Sequence, residues 1–240
     1  MKEPIVILHG WGSTVSGQKR FGEVKQLLEK KGYTVFTPDL PGFGSNTLKK
    51  EELFFEDYVA FVKEFLQQQK LKKITLIGHS FGGRIAIAFA AKYPDLVGRL
   101  ILVSASGIPH PLPSGKKKLA YIATKIAKPL FSIPPCSWFY QYFRKAVYYA
   151  IGEMDYYKAG SLTKTFRNIV EVNITQDLPK IKTPTLIIWG EEDTFVPVAD
   201  GMVMYEKIKG SQIVIEKNEG HKFPYDNPKA FVAIVLKFVL

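Results

Sequence analysis

Six short apolar runs, each followed by a stretch of helical periodicity or by a loop, set the pattern of this 240-residue sequence. The runs are continuous apolar blocks, such as IVIL at residues 5–8 and TLIIW at residues 185–189. Strands that are buried on both faces of a parallel sheet have this composition. The alternation of such strands with helices predicts an α/β fold, in which helices flank a mostly parallel central sheet of about six strands.

The predicted elements can be bounded from the apolar pattern. The strands are predicted at residues 5–8, 34–37, 74–77, 100–103, 185–189 and 212–216. The helices are predicted at residues 21–31, 51–69, 81–92, 203–209 and 229–239. In the helix at 51–69 the aromatic and aliphatic residues recur at helical spacing, which predicts an amphipathic helix on one face of the sheet.

A segment from residue 108 to residue 175 interrupts the alternation. It contains no convincing strand, it includes six prolines, and it is rich in aromatic residues and lysines. The strand pattern resumes at Thr185. We therefore predict a helical insertion at 108–175, after the fourth predicted strand of an α/β core that comprises residues 1–107 and 176–240.

The composition is typical of a globular protein and excludes two other classes. Hydrophobic residues make up 46% of the chain, which is too many for a disordered protein. No charge-free apolar run approaches the roughly 18 to 20 residues of a membrane-spanning helix. The N-terminal apolar run is too short for a secretory signal, and the single cysteine, Cys136, suits a reducing compartment, so we expect a cytoplasmic protein.

The net charge of +11 is concentrated in the insertion. Residues 108–175 contain ten basic and three acidic residues, a net charge of +7, which leaves +4 for the rest of the chain. Amphipathic helices with a solvated lysine face are the simplest explanation of this segment. No recognisable nucleic-acid-binding module accompanies the charge, so we expect no nucleic-acid partner.

One pentapeptide predicts catalytic chemistry. Gly78-His79-Ser80-Phe81-Gly82 follows the predicted strand ITLI and precedes a helical pattern. A serine on a sharp turn at the carboxyl end of a strand presents its hydroxyl at the open edge of the sheet, and flanking glycines let neighbouring backbone approach closely. This pattern predicts that Ser80 is a nucleophile.

A histidine must accept the proton of Ser80, because a free hydroxyl is a weak nucleophile at neutral pH. His79 adjoins Ser80 and is expected to point away from the serine hydroxyl. His9 follows the first strand, where it can brace a loop, and His110 opens the insertion. His221 follows the last strand, at the carboxyl edge where open α/β sheets bind ligands, so we predict it as the general base.

The other ring nitrogen of the base needs an acidic partner. Three acidic residues follow the strand TLIIW, namely Glu191, Glu192 and Asp193. We favour Asp193, although either glutamate could take its place if the loop is built differently. The chain order is then Ser80, Asp193, His221.

An acyl-transfer site also needs N–H donors for the oxyanion that develops on the substrate. The segment HGWG at residues 9–12 follows the first strand, and its glycines allow the backbone to turn inward. We predict that the backbone amides of Trp11 and Phe81 serve as these donors.

Together these segments resemble the α/β hydrolase superfamily over essentially the whole chain. The resemblance rests on HGWG at 9–12, PDLPGFG at 38–44, GHSFGG at 78–83, WGEED at 189–193 with Pro197, and GH at 220–221. The family's nucleophile, acid and base map onto Ser80, Asp193 and His221, and its oxyanion amides map onto Trp11 and Phe81. The family's antiparallel leading hairpin has no counterpart here, which leaves about six strands instead of eight.

The resemblance also implies a role for the insertion. Such hydrolases carry a helical cap over the site at this point of the chain, and caps supply most of the substrate pocket. We expect Trp138, Phe139 and Tyr142 to line that pocket. We also expect the basic charge of the insertion to attract anionic or lipid-like substrates.

The expected activity is that of a serine hydrolase, a carboxylesterase that cleaves a small-molecule ester through an acyl-enzyme on Ser80. Meta-cleavage hydrolases, which break a carbon–carbon bond, and thioesterases are similar in the same motifs and stay open as alternatives. An alternative of another class is a small-molecule receptor with little turnover. We expect no cofactor and no metal ion, and the sequence leaves the oligomeric state open.

Overall fold

The computed structural model describes residues 2–12, 16–47, 51–109, 142, 145, 162–170 and 172–240. The chain divides into two compact units, of which one comprises residues 1–108 and 168–240 and the other residues 109–167. In the second unit, Tyr142, Lys145 and residues 163–167 are helical. The predicted division at residues 107 and 175 stays a prediction, because most of the predicted insertion lies outside the described residues.

The first unit is built on a six-stranded parallel sheet. Its strands are β1 (Ile5–Leu8), β2 (Val35–Phe36), β3 (Ile74–His79), β4 (Val97–Val103), β5 (Thr185–Gly190) and β6 (Gln212–Glu216). They are ordered β2-β1-β3-β4-β5-β6, and every neighbouring pair is parallel. All six predicted strands are present, and the predicted fold class is confirmed.

Helices and short turns connect the strands. The α-helices with bounds among the described residues are α1 (Gly17–Arg20), α2 (Gly22–Glu29), α3 (Phe55–Gln68), α4 (Phe81–Lys92), α5 (Thr163–Val170), α6 (Val198–Lys207), α7 (Phe223–Asp226) and α8 (Pro228–Val239). Single turns of 3₁₀-helix lie at Pro94–Leu96 and Leu178–Lys180. Among the described residues, none of these helices is both long enough and apolar enough to span a membrane.

The sheet is covered by helices because its strands are apolar on both faces. Every residue of β1, β3 and β5 is buried. One face of the sheet packs its isoleucines against the buried side chains of α2 and α8. Helix α4 packs against β3, β4 and β1, and it is itself buried over most of its length. Burial on both faces explains why these strands are continuous apolar blocks.

Several element boundaries differ from the predicted ones, and three of the differences have local reasons. Strand β4 begins three residues earlier, at Val97, because Val97 and Arg99 pair with Ile74 and Thr75 of β3 across a register shift, although Arg99 is not apolar. Helix α3 begins at Phe55, where the carboxylate of Asp57 accepts the N–H of Phe54 at 2.8 Å and caps the helix. Helix α6 begins directly after Pro197, five residues before its predicted start.

The strand order reverses direction at β1. Strands β2 and β3 lie on opposite sides of β1, so the connections from β1 and from β3 leave the sheet in opposite directions. Open α/β sheets bind ligands at such a switch point, outside the carboxyl ends of the strands. The loop that begins at His9 and the turn at Ser80 lie at these carboxyl ends.

Candidate active site

Ser80 occupies a strained turn between β3 and α4. Its backbone has φ 53° and ψ −114°, a conformation that a residue with a side chain rarely adopts. A Cβ on Gly78 would lie 2.5 Å from the carbonyl oxygen of Gly82, and a Cβ on Gly82 would overlap the carbonyl oxygen of Leu8. The two glycines therefore permit the close approach of β1, β3 and α4 that holds the serine in this turn.

The predicted base and acid are joined by a hydrogen bond. The Nδ1 atom of His221 lies 2.8 Å from Oδ2 of Asp193. The side chain of Asp193 is fully buried, and that of His221 is 15% exposed. The other carboxylate oxygen, Oδ1, accepts the backbone N–H groups of Phe195 and Val196, each at 2.9 Å. The carboxylate is thus fixed in the loop after β5, and it orients the imidazole of His221 through Nδ1.

The loop geometry favours Asp193 over the two preceding glutamates. Both Glu191 and Glu192 are exposed. A short aspartate side chain can accept N–H groups two and three residues further along its own loop, and this geometry fixes its carboxylate beside His221. The backbone N–H of Glu192 donates to the carbonyl of Glu219 at 2.8 Å, which joins this loop to the one that carries His221.

Asp193 stays ionised despite its burial. Burial alone would raise the pKa of its carboxyl group, but the hydrogen bonds from His221, Val196 and Ser104 hold that pKa below its ordinary value. Ser104, which the sequence analysis did not single out, is buried and has a positive φ of 43° at the end of β4. A small polar residue after a strand is too common a pattern to predict this contact.

His79 is also part of the site, although it is not positioned as a base. Its Nε2–H donates to the backbone carbonyl of His221 at 2.9 Å, and its Nδ1 accepts the hydroxyl of Tyr225 at 2.9 Å. Both ring nitrogens are therefore occupied, and the ring is 2% exposed. The sequence analysis expected this side chain to point away from the serine hydroxyl, but it did not identify either partner.

The two predicted oxyanion donors lie in one aromatic cluster. The ring of Trp11 meets the ring of Phe81 edge-on at 5.4 Å and that of Phe43 at 5.0 Å. A Cβ on Gly10 would lie 3.0 Å from the Cβ of Ser80, so the HGWG loop passes directly beside the predicted nucleophile. His9 braces this loop, since its Nε2 accepts the N–H of Leu40 at 3.0 Å.

The predicted pocket residues lie in the second unit of the chain. Trp138 and Phe139 lie outside the described residues, and Tyr142 is 76% exposed. The structure adds an aromatic residue that the sequence analysis missed, because the ring of Phe195 is 68% exposed and lies 5.3 Å from that of His221. Among the described side chains, no group of three or more His, Cys, Asp or Glu residues could hold a metal ion.

The buried imidazole of His79 makes stability depend on pH. Burial, followed by the nearby charge of His221, lowers the pKa of His79 to about 3 from an ordinary value of 6.5. Below pH 6.5 the unfolded chain therefore binds a proton that the folded chain does not. The contribution of His79 to stability is complete above pH 6.5 and is lost as the pH falls towards about 3.

We expect the free energy of unfolding to fall more steeply with decreasing pH in the wild type than in His79→Gln. Between about pH 5.5 and about pH 4.5, the unfolding free energy of the wild type should fall by about 1.4 kcal/mol more than that of the variant, because unfolding of the wild type takes up one more proton. Urea unfolding of both proteins at the two pH values measures this difference. The other titratable groups contribute to the pH dependence of both proteins, so their contributions cancel in the comparison. Equal slopes would show that His79 titrates normally in the folded protein.

Comparison with known proteins places the chain among sequences of the same fold. The 2-hydroxy-6-oxononadienedioate/2-hydroxy-6-oxononatrienedioate hydrolase of Escherichia coli K12 is 28% identical over 256 aligned positions, which cover 99% of this chain and 87% of that enzyme. A corresponding enzyme of Escherichia coli O139:H28 is 27% identical over the same coverage.

Solved structures share the architecture at lower sequence identity. A meta-cleavage product hydrolase from Pseudomonas fluorescens IP01 superposes with a TM-score of 0.74 at 22% identity, covering 98% of this chain and 90% of that one. A thermophilic esterase from Thermogutta terrifontis superposes with a TM-score of 0.73 at 23% identity, covering 99% and 89%. A family model described as alpha/beta hydrolase fold matches residues 3–150. With the parallel sheet and the glycine-flanked turn at Ser80, this match shows that the chain belongs to the alpha/beta hydrolase fold family.

Proposed function

We propose that the protein is a serine hydrolase that cleaves carboxylic esters, with Ser80 as nucleophile, His221 as general base and Asp193 as the acid that orients the base. The buried hydrogen bond of 2.8 Å between His221 and Asp193, on loops at the same sheet edge as the strained turn of Ser80, carries this proposal. A serine, a histidine and a buried carboxylate in this relation form an acyl-transfer triad.

In the proposed reaction, Nε2 of His221 accepts the hydroxyl proton while Oγ of Ser80 attacks the carbonyl carbon of the ester. The negative charge that develops on the carbonyl oxygen is stabilised by the backbone N–H groups of Trp11 and Phe81. The tetrahedral intermediate then breaks its bond to the alkoxide, which takes the proton from His221. Water, deprotonated by His221, then attacks the acyl carbon. The bond between this carbon and Oγ of Ser80 breaks, His221 returns the proton to Oγ, and the carboxylic acid leaves. Asp193 stabilises the imidazolium in both steps without becoming protonated.

Carbon–carbon bond cleavage is the second candidate, and the curated relatives favour it. They are named as hydrolases of 2-hydroxy-6-oxononadienedioate, and they align with 99% of this chain. The two reactions differ in their leaving group. An alkoxide needs one proton, which His221 holds after the attack, whereas a carbon leaving group must be stabilised and then protonated on carbon. Ester cleavage therefore asks for no group beyond the proposed triad and oxyanion amides, and we place it first.

A substrate panel tests the proposal. It consists of p-nitrophenyl esters of increasing acyl length, a matched thioester and the named dienedioate. Labelling of Ser80 by a fluorophosphonate is measured in a separate reaction without substrate, because the label blocks the serine oxygen. We expect labelling of Ser80 and turnover of the esters with a higher kcat/KM than for the dienedioate. A reversed preference would establish carbon–carbon cleavage instead. Labelling of Ser80 without turnover of any substrate would indicate a receptor.

The charge of the insertion supports an anionic or lipid-like substrate. Residues 108–175 carry a net charge of +7, and the substrate named for the curated relatives is a dicarboxylate. Opposite charges attract an approaching substrate, and added salt screens that attraction. We expect kcat/KM for an anionic ester to fall several-fold more than kcat/KM for a neutral ester of the same size when salt is raised from about 0.01 M to about 0.15 M. Parallel salt profiles for the two esters would contradict this expectation.

A further inference from the structure

Two hydrogen bonds of His79 have no part in the proposed mechanism, and they lead to the loop of the base. We infer that His79 is a positioning residue, which holds the backbone of His221 in place and is itself held by Tyr225. This inference rests on the proposed function only in taking His221 as the base. It assigns a role to the residue that precedes the nucleophile.

The two contacts of His79 select one tautomer of its ring. The carbonyl of His221 can only accept, so Nε2 of His79 must carry the hydrogen. Its Nδ1 then has a free lone pair, and the hydroxyl of Tyr225 donates to it. The rings of His79 and His221 lie 4.8 Å apart, so the fixed ring also packs against the base that it positions. A neutral, buried imidazole with hydrogen bonds at both ring nitrogens can hold the backbone of His221 in place, but it is unsuited to exchanging protons.

The support continues beyond His79 to the loop that contains Trp11. Tyr225 packs its ring against that of Phe21 at 4.9 Å, and its hydroxyl is hydrogen-bonded to the guanidinium of Arg20. Arg20 also donates to the backbone carbonyl of Gly12, the last residue of the HGWG segment. Arg20, Tyr225 and His79 therefore connect the loop of the predicted oxyanion donor with the loop of the predicted base.

The loop of the base lies against the end of β5 on one side, where a Cβ on Gly190 would overlap the carbonyl oxygen of Glu219, and it meets His79 next to the predicted nucleophile. It follows β6, an edge strand of the sheet, and Lys217 and Asn218 within it are exposed. Asn218 has a positive φ of 58°. The backbone N–H of Glu192 donates to the carbonyl of Glu219 in this loop, and the bond from His79 is made to the backbone carbonyl of the proposed base itself. A displacement of about 1 Å at a reacting group can reduce the rate by about 10²-fold.

The test compares three variants with the wild type. His79→Met keeps the approximate volume and removes both hydrogen bonds. His79→Gln keeps a donor near Nε2 that can reach the carbonyl of His221. Tyr225→Phe removes the hydroxyl that bonds both His79 and the guanidinium of Arg20. Tyr33→Phe is the matched control, because Tyr33 is a buried tyrosine that precedes β2, away from the carboxyl ends of the strands.

We expect kcat and the rate of fluorophosphonate labelling to fall about 10²-fold in His79→Met, with KM changed less than twofold. In His79→Gln, kcat should be at least tenfold higher than in His79→Met. In Tyr225→Phe, kcat should be severalfold lower than in the wild type, and in Tyr33→Phe it should equal the wild-type value. If His79 served folding alone, His79→Met would have a lower melting temperature without a selective fall in kcat. In that case His79→Gln would not recover kcat. Wild-type rates in all three variants would overturn the inference.

A spectroscopic measurement separates this inference from the proposed function. The Nδ1 proton that His221 shares with Asp193 should give a low-field proton NMR resonance, which Asp193→Asn removes. We expect this resonance to shift and broaden in His79→Met and in Tyr225→Phe, and to return in His79→Gln. If the resonance changes in these variants as expected, but the wild type neither reacts with the fluorophosphonate nor hydrolyses esters, the proposed function fails and the positioning role stands. An unchanged resonance in folded His79 and Tyr225 variants overturns the positioning role, whatever the activity.

Discussion

Replacing Ser80 by alanine is expected to lower kcat for the best ester of the panel by about 10⁶-fold, because members of a catalytic triad act as one unit. The variant should keep the fold. Alanine has the Cβ that already occupies the strained turn, so the backbone strain at φ 53° is unchanged. Steady-state kinetics measure the loss of kcat, and thermal unfolding of both proteins shows whether the variant keeps the fold.

Ser106→Ala is the matched control for this experiment. The backbone N–H of Ser106, in the segment after β4, donates to the carbonyl of Ser80 at 3.0 Å, so the two serines are spatial neighbours. The substitution keeps that bond and removes only a hydroxyl. We expect Ser106→Ala to retain activity within about threefold of the wild type, a range that surface and near-neutral substitutions usually occupy. If Ser80→Ala retained most of the activity, Ser80 would not be the nucleophile.

The sheet and its turn at Ser80 could be predicted because their signals are local. Continuous apolar blocks identify the strands, and the glycines at 78 and 82 lie within two residues of the serine that they serve. Ser80 and the loops that contain Asp193 and His221 all follow strands of one parallel sheet, so their place at one edge of the sheet follows from topology. The sequence could not decide among three neighbouring acidic residues.

The contacts of His79 could not be predicted for a different reason. Its partner Tyr225 is 146 positions away, and its partner carbonyl belongs to His221, 142 positions away. Such pairs leave no periodicity in the sequence, and nothing in the residue types Ser104 or Arg20 indicates that they approach the site. The start of β4 could not be predicted from an apolar run, because Gly98 and Arg99 interrupt the run between Val97 and Leu100.

Asp193→Asn is expected to reduce kcat by about 10⁴-fold, less than the loss at Ser80. Asparagine has the same shape, so it can still accept the N–H groups of Phe195 and Val196 and keep the loop folded. It carries no charge to stabilise the imidazolium of His221, and its amide can hold the ring in the wrong tautomer. Kinetics of the folded variant, with KM nearly unchanged, measure the loss.

Glu192→Gln is the control, because Glu192 is exposed one position before the proposed acid. Its backbone N–H bond to Glu219 survives the substitution, so the loop that carries His221 should keep its place. We expect nearly wild-type kcat in this variant. If instead Glu192→Gln were the inactive variant and Asp193→Asn the active one, the loop would have to turn so that the glutamate meets His221. The buried carboxylate of Asp193, with its two backbone donors at 2.9 Å, argues that it does not.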